Sequence, residues 1–389
     1  MKSNPFLHLV QENYLFPEIT KKKELFLKEN PSASLISLGI GDTTEPLSPF
    51  VAQKMEKFAQ DLGTNEGYTG YGPALGIETL REKISEKIYN KIVSADEIVL
   101  SDGAKSDLGR LQFLLPQGAK VAIQDPAYPV YVDTSVMTGK SLIYLPCSPE
   151  NDFFPDLEDA KDADVIIFCS PNNPTGQAAT KQQLETLVRF CQKNQILLIM
   201  DAAYAAYIQD PEIPKSIYEI EGAKEVAIEV GSFSKMAGFT GIRLGWTVVP
   251  KELKFEGGHS VKKAWERIAS TFFNGPSNLA QIGGLAALEE ANFPIKLYME
   301  NARKLKEAIS ALGYPTYGGS NAPYLWVKFE GKKSWDIFDH LMQKFHLVTT
   351  PGSGFGKAGE GFVRFSAFAK PENIQASIAR LNGSALVTT

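Results

Sequence analysis

Ser232-Phe-Ser-Lys235-Met-Ala-Gly-Phe-Thr-Gly-Ile-Arg243-Leu-Gly-Trp246 sets one lysine among small and apolar residues, with two serines before it and an arginine eight positions after it. A lysine that can lose its proton attacks carbonyl carbon and forms a Schiff base. Two hydroxyls and a guanidinium are what a phosphate dianion needs. An aldehyde that carries a phosphate, pyridoxal 5′-phosphate (PLP), has both handles. Taken alone, the segment also reads as a solvated surface lysine, the ordinary place for that residue. The rest of the chain has to decide between the two.

Short apolar runs alternate with helical patterns through the middle of the sequence. Residues 97–101, 120–124, 164–169, 196–200, 225–230 and 243–249 read as strands buried on both faces. Between them, Thr180-Lys-Gln-Gln183 predicts a capping box, followed by Leu184, Leu187, Val188 and Cys191 on one helical face. This alternation predicts an α/β fold with a mostly parallel sheet flanked by helices. Further on, Leu305, Ile309 and Leu312 line a helix that Gly313 ends. A strand over 324–329, a helix over 335–344 and a strand over 347–350 follow. That looser pattern predicts a smaller α+β domain. The expected division is a large domain over 46–285, with 1–45 and 286–389 forming an N-terminal arm and the small domain.

In open α/β sheets, ligands sit beyond the carboxyl ends of the strands, and the residues there are polar. Asp201 follows one run and can pair with a pyridinium nitrogen, keeping the ring an electron sink; a helix N-cap is its plainer reading. Tyr204 and Asn173, the latter in the turn Ser170-Pro-Asn-Asn-Pro-Thr-Gly176, can reach the ring's phenolate oxygen. Ser101-Asp-Gly-Ala-Lys105 opens a helix whose N–H groups suit a phosphate, and Tyr128 can stack on a flat ring. Gly39-Ile-Gly-Asp-Thr-Thr44 lacks the third glycine of a dinucleotide fingerprint. Pro351-Gly-Ser-Gly-Phe-Gly-Lys-Ala358 has proline and alanine where a P-loop needs glycine and a hydroxyl.

Composition narrows the function classes. With 389 residues, 43% hydrophobic and 22% charged, the chain can bury two cores. A net charge of −5 gives no reason to expect nucleic acid or an anionic membrane as partner. Cys147, Cys169 and Cys191, and the four histidines, lack metal-ligand spacing, so no metal is expected. Without a signal-like N-terminus or a run near the roughly 18 apolar residues of a membrane span, the expected location is cytoplasmic.

Together with Gln124-Asp-Pro-Ala-Tyr-Pro129, Thr350-Pro-Gly-Ser-Gly-Phe-Gly356 and Gly361-Phe-Val-Arg-Phe-Ser366, these motifs resemble the fold-type I PLP enzymes of the aspartate aminotransferase superfamily over almost the whole chain. The segments Gly39–Pro46, Ser101–Lys105 and Phe239–Trp246 are similar, more narrowly, to its diaminopimelate branch of plant and chlamydial type. The resemblance implies an aminotransferase acting on small amino acids and keto acids. It implies that Lys235 holds PLP, Asp201 pairs with the ring nitrogen, Asn173 and Tyr204 bind the ring oxygen, and Tyr128 stacks on the ring. Ala104, Lys105, Ser232, Ser234 and Arg243 would hold the phosphate, and Arg364 the substrate α-carboxylate. Lys105 would also meet a distal carboxylate. Tyr14, Gly41, Tyr71 and Asn274 match further cofactor and substrate positions. Tyr71 and Asn274 would reach into a neighbouring subunit's site, which implies a homodimer with shared active sites. One departure stands out: Pro73-Ala74-Leu75 follows Tyr71-Gly72 where the plant pattern has an acidic residue facing a distal ammonium. Other reactions of the same cofactor are the nearest rivals: transamination of aspartate, aromatic or alanine type, or β-elimination. A PLP-sensing regulator would need a DNA-binding domain, for which the roughly forty residues before the core are too few.

Overall fold

The computed structural model describes residues 1–10, 15–382 and 386. Its largest sheet has seven strands: β2 (Ile98–Ser101), β3 (Lys120–Asp125), β4 (Ser141–Pro146), β5 (Val165–Cys169), β6 (Leu197–Asp201), β7 (Ala227–Ser232) and β8 (Gly245–Val248). Their order is β2-β8-β7-β6-β5-β3-β4. Only β8 runs against the others, pairing antiparallel with both β2 and β7. Six strands therefore deliver their carboxyl ends to one edge, and β8 brings its amino end there: Gly245 lies opposite both Ser101 and Ser232. That reversal carries Arg243 to the edge where Asp201 and Ser232 already stand.

The expected strands are present within two residues, and β2, β5, β7 and β8 are buried along their whole length. Burying one such Val or Ile contributes about 1.5–3 kcal/mol, more than a helix cap at roughly 1 kcal/mol. The buried runs therefore decide the architecture, and the caps adjust it. The Thr180 box closes as the spacing predicts: Gln183 N–H donates to Thr180 Oγ1 at 3.2 Å and Thr180 N–H to Gln183 Oε1 at 2.9 Å. The helix it starts, Lys181–Asn194, buries Leu184, Leu187, Val188 and Cys191.

Within the seven-stranded sheet, β4 is the strand that pattern reading did not identify. It lies on the sheet's open edge, with Tyr144 exposed, and ends in Pro146, which an edge tolerates but which weakens the strand signal.

A second sheet, in the order β12-β13-β10-β9, is antiparallel. It comprises β9 (Thr316–Gly318), β10 (Tyr324–Lys328), β12 (Thr350–Pro351) and β13 (Phe362–Ser366). Leu305, Ile309, Val327, Ile337, Leu341 and Val363 form a separate core beneath it. The helices are Ile295–Ala311, followed by Gly313 at φ 87, and Ser334–Phe345. The single strand expected over 347–350 is instead two. β11 (Leu347–Val348) pairs with β1 (Ile36–Ser37) in a sheet of its own, and after buried Thr349 the chain enters the second sheet as β12. A run of four residues can serve two sheets because a break at one residue is invisible in its hydrophobicity.

Gly176 closes the turn after β5. Its φ is 68, and a Cβ there would lie 2.3 Å from the Tyr324 carbonyl oxygen of β10. Gly176→Ala is expected to lose roughly 2 kcal/mol or more, from the left-handed conformation and the backbone overlap together. A urea midpoint equal to that of the parent protein would contradict this close approach.

Candidate active site

The strand ends enclose a cavity of about 530 Å³. Of the residues expected from sequence, it is lined by Gly41, Ala104, Lys105, Tyr128, Asn173, Asp201, Tyr204, Ser232, Ser234, Lys235, Arg243 and Arg364. Tyr71 and Asn274 are not brought to it: both are exposed, Tyr71 at 89%, on the surface of the same chain. Tyr14 lies outside the described residues.

Lys235 sits on the short helix Phe233–Met236 that follows β7 directly. Its backbone carbonyl accepts from Tyr207 Oη at 2.8 Å, and its Nζ donates to the Gly41 carbonyl. Burial brings the amine down from the usual 10.5 to about 8. The Arg364, Arg243 and Lys105 cations push the same way, while Asp42 opposes them. A substantial neutral fraction near pH 7–8 is what a nucleophilic lysine requires.

Asp201 terminates β6 and is buried. One carboxylate oxygen accepts from Tyr131 Oη at 2.6 Å and the other from Ala203 N–H at 3.0 Å. Burial raises its pKa, and those two donors pull it down. Among the described residues it has no ion-pair partner. A buried carboxylate on a cavity wall with only neutral donors fits a protonated ring nitrogen.

The phosphate-type donors converge at one end. Ser232 caps the lysine helix by accepting from Ser234 N–H at 3.1 Å. Arg243 is held at φ 70, a conformation that L residues adopt at a cost, by donation from Nη1 to the Thr240 carbonyl at 3.0 Å. Gly103 precedes the helix Ala104–Leu111, whose first N–H groups have no intrahelical acceptors. A Cβ on Gly103 would fall 2.4 Å from Arg243 Nη2, so glycine is what lets the guanidinium lie across the helix start. Hydroxyls, guanidinium and helix terminus at one end and a lone carboxylate at the other fit PLP.

Arg364, in the middle of β13, is only 1% exposed, which removes the reading of a surface strand arginine. Its Nη1 donates to Asn173 Oδ1 and its Nη2 to the Gly39 carbonyl and Thr350 Oγ1. The guanidinium lies between the Tyr324 and Phe355 rings, 4.4 and 4.9 Å from their centroids. Among the described residues its buried Nε has no acceptor, which suits a fork that takes a carboxylate.

Sequence reading missed Tyr131, Tyr324 and Asp42. Tyr131 follows Tyr128 at i+3, a spacing that placed it within reach. Tyr324, whose hydroxyl is 2.7 Å from that of Tyr204, reaches the cavity from β10 and had no local signal. The glycine-rich 351–358 segment also has its explanation: Ala358 N–H donates to both carboxylate oxygens of Asp125 at 3.3 Å. The loop holds a protein carboxylate rather than a nucleotide.

The family aminotransferase class I and II matches residues 33–381. The LL-diaminopimelate aminotransferase of Protochlamydia amoebophila is 51% identical over 403 residues, covering 99% of this chain and 98% of that protein. The chloroplastic LL-diaminopimelate aminotransferase of Arabidopsis thaliana is 48% identical, covering 95% of this chain and 84% of that protein. The solved structure of L,L-diaminopimelate aminotransferase from Chlamydomonas reinhardtii superimposes with a TM-score of 0.95 at 51% identity, covering 99% of each chain. With its strand-end cavity, its buried lysine and carboxylate, and matches that run nearly end to end, the chain belongs to the class I and II aminotransferases.

Proposed function

We propose that this PLP-dependent enzyme moves an amino group between LL-2,6-diaminopimelate and 2-oxoglutarate, interconverting them with tetrahydrodipicolinate and L-glutamate, in the synthesis of lysine and peptidoglycan precursors. The observation that carries the reaction type is Lys235 and Asp201 facing one cavity, with Arg364 buried beside them. The substrate rests on relatives of that name at 44–51% identity over nearly the whole chain.

When bound, PLP supplies the aldehyde that takes up the amino group and a ring that withdraws electrons from the substrate Cα. The chain's own residues do the rest. Lys235 Nζ, neutral in a substantial fraction near pH 8, takes the proton from Cα and returns it as general base and acid. Asp201 holds the proton on the ring nitrogen. Asn173, whose Oδ1 already accepts from Arg364, has its amide NH2 to offer the ring oxygen. Arg364 grips the α-carboxylate through its fork, and Lys105 lies on the cavity wall for a distal carboxylate.

The same reading divides the chain into a PLP domain over 46–285 and a small domain from 1–45 and 286–389. The separate second sheet and its own core support two domains, although the helix Asn278–Glu290 runs unbroken past the boundary at 285. It makes the protein a homodimer in which Tyr71 and Asn274 complete the partner's cavity, a reading supported by their exposure and by neither of them lining the cavity of their own chain. It also places the protein in the cytoplasm, in keeping with three buried, unpaired thiols. No helix of the described residues is long and apolar enough to cross a membrane.

Lys235→Ala is expected to lower turnover of LL-diaminopimelate with 2-oxoglutarate by about a thousandfold or more, read as glutamate formed. Turnover within tenfold of the parent would remove Lys235 from its role. Labelling of Lys235 in the cofactor-free protein by an amine-selective reagent should accelerate about tenfold per pH unit and level off above pH 8, because only the neutral amine reacts. A rate still climbing towards 10.5 would mean an unshifted lysine. Co-expression of Lys235→Ala with Tyr71→Ala chains should restore turnover, since one site of each mixed dimer holds both residues. Activity no greater than the sum of the two variants would refute shared sites.

A further inference from the structure

The cavity wall is rich in positive charge, with Lys105, Lys235, Arg243 and Arg364, and carries two carboxylates, Asp201 and Asp42, among the described residues. Asp201 is committed, because both its oxygens accept from Tyr131 and Ala203. Asp42 is not: it lines the cavity yet is exposed, and it makes no hydrogen bond or ion pair among the described residues.

Its position is fixed by its neighbours on both sides. Upstream, the Gly39 carbonyl accepts from Arg364 and from Thr350 Oγ1 at 2.6 Å, and the Gly41 carbonyl accepts from Lys235 Nζ. Downstream, Thr44 N–H and Glu45 N–H donate to Tyr298 Oη at 2.7 and 2.9 Å. Gly41 itself has no room for a side chain, since a Cβ would overlap Tyr324 Oη. The segment thus holds a carboxylate, unpaired among the described residues, next to the carbonyl that touches the reacting amine. Its charge reaches that amine, opposing the fall in the Lys235 pKa.

A diamino-dicarboxylate brings four charged groups. In the arrangement above, one ammonium goes to the Lys235 position, the α-carboxylate to Arg364 and the distal carboxylate to Lys105. The second ammonium is best held by an anionic acceptor, because a charge-assisted hydrogen bond is stronger than one to a neutral group. The segment around Tyr71 supplies none: the surface depression there is lined by Thr69, Tyr71, Pro73, Ile77 and Asn278 among other uncharged residues, and position 74 is alanine.

We propose that Asp42 is the specificity-determining residue that receives the distal ammonium of the diamino substrate. This inference rests on the diaminopimelate reading and refines it: the acidic determinant of the second amine lies in the same chain as Lys235, next to Gly41.

The test uses two amino donors that differ only in that ammonium, LL-2,6-diaminopimelate and L-2-aminopimelate, with the PLP-loaded enzyme and 2-oxoglutarate. The parent should prefer the diamino acid in kcat/KM. In Asp42→Asn the ratio of the two kcat/KM values should fall about tenfold or more, mainly through the KM for diaminopimelate. Asp42→Glu should recover part of the ratio. Activity on 2-aminopimelate serves as the internal control for folding, together with the melting temperature and the cofactor's absorbance band. A ratio within twofold of the parent, or equal losses on both donors, overturns the role of Asp42 while leaving the enzyme a diaminopimelate aminotransferase. A parent enzyme that uses diaminopimelate no better than aspartate or phenylalanine overturns the functional reading itself, and this one with it.

Discussion

A carboxylate buried without a cation costs of order several kcal/mol, and the active site is built around one. Asp201 ends the central strand β6 between Cys169, the last residue of β5, and Val230 of β7, so the sheet's register alone decides where the charge is placed. Tyr131 and the Ala203 N–H keep the group oriented, but neither neutralises it. In the proposed arrangement a protonated ring nitrogen would, and cofactor binding and stability would then be linked through that one residue.

Lys235 stands in the opposite situation. It is a cation brought close to three others, Arg364, Arg243 and Lys105, and burial works against its charge as well. Both effects favour the neutral amine. A bound phosphate or carboxylate beside Arg243 or Arg364 would cancel part of that repulsion. The basicity of Lys235 is thus set by what occupies the rest of the cavity as much as by its own surroundings. One anion at β6 and one suppressed cation at the end of β7 give the site its polarity.

The parts of this arrangement that follow from local order along the chain were legible in sequence. Asp201, Asn173, Ser232 and the Ala104–Lys105 turn each come directly after a buried run, and a run's end is easy to locate. Arg243 was legible for a different reason: it precedes a run, and only the reversal of β8 turns a strand's beginning into part of the same edge. Tyr324 was not legible, because it comes from β10 and meets Tyr204 across the two sheets. Asp42 belongs to a segment with no regular structure, so its place depends wholly on Tyr298, Tyr324, Arg364 and Thr350. The split of 347–350 between two sheets was hidden for the same reason, since hydrophobicity reports burial and not the identity of the partner.

Several contacts tie the second sheet to the first, among them one from a residue that lines the cavity and one at the end of β3. Arg364, on β13, donates to Asn173, in the turn after β5. The Gly356–Ala358 turn, from the same side, closes over Asp125 at the end of β3, and a Cβ on Gly356 would collide with that carboxylate. A substrate carboxylate arriving at Arg364 thus meets a residue whose orientation is already shared between the two sheets. Any shift of one against the other moves the fork relative to Asn173 and Lys235. In the proposed arrangement, the energy of holding the α-carboxylate would for that reason also fix the relative position of the sheets, and with it the distance from Cα to Lys235, the residue proposed to take its proton.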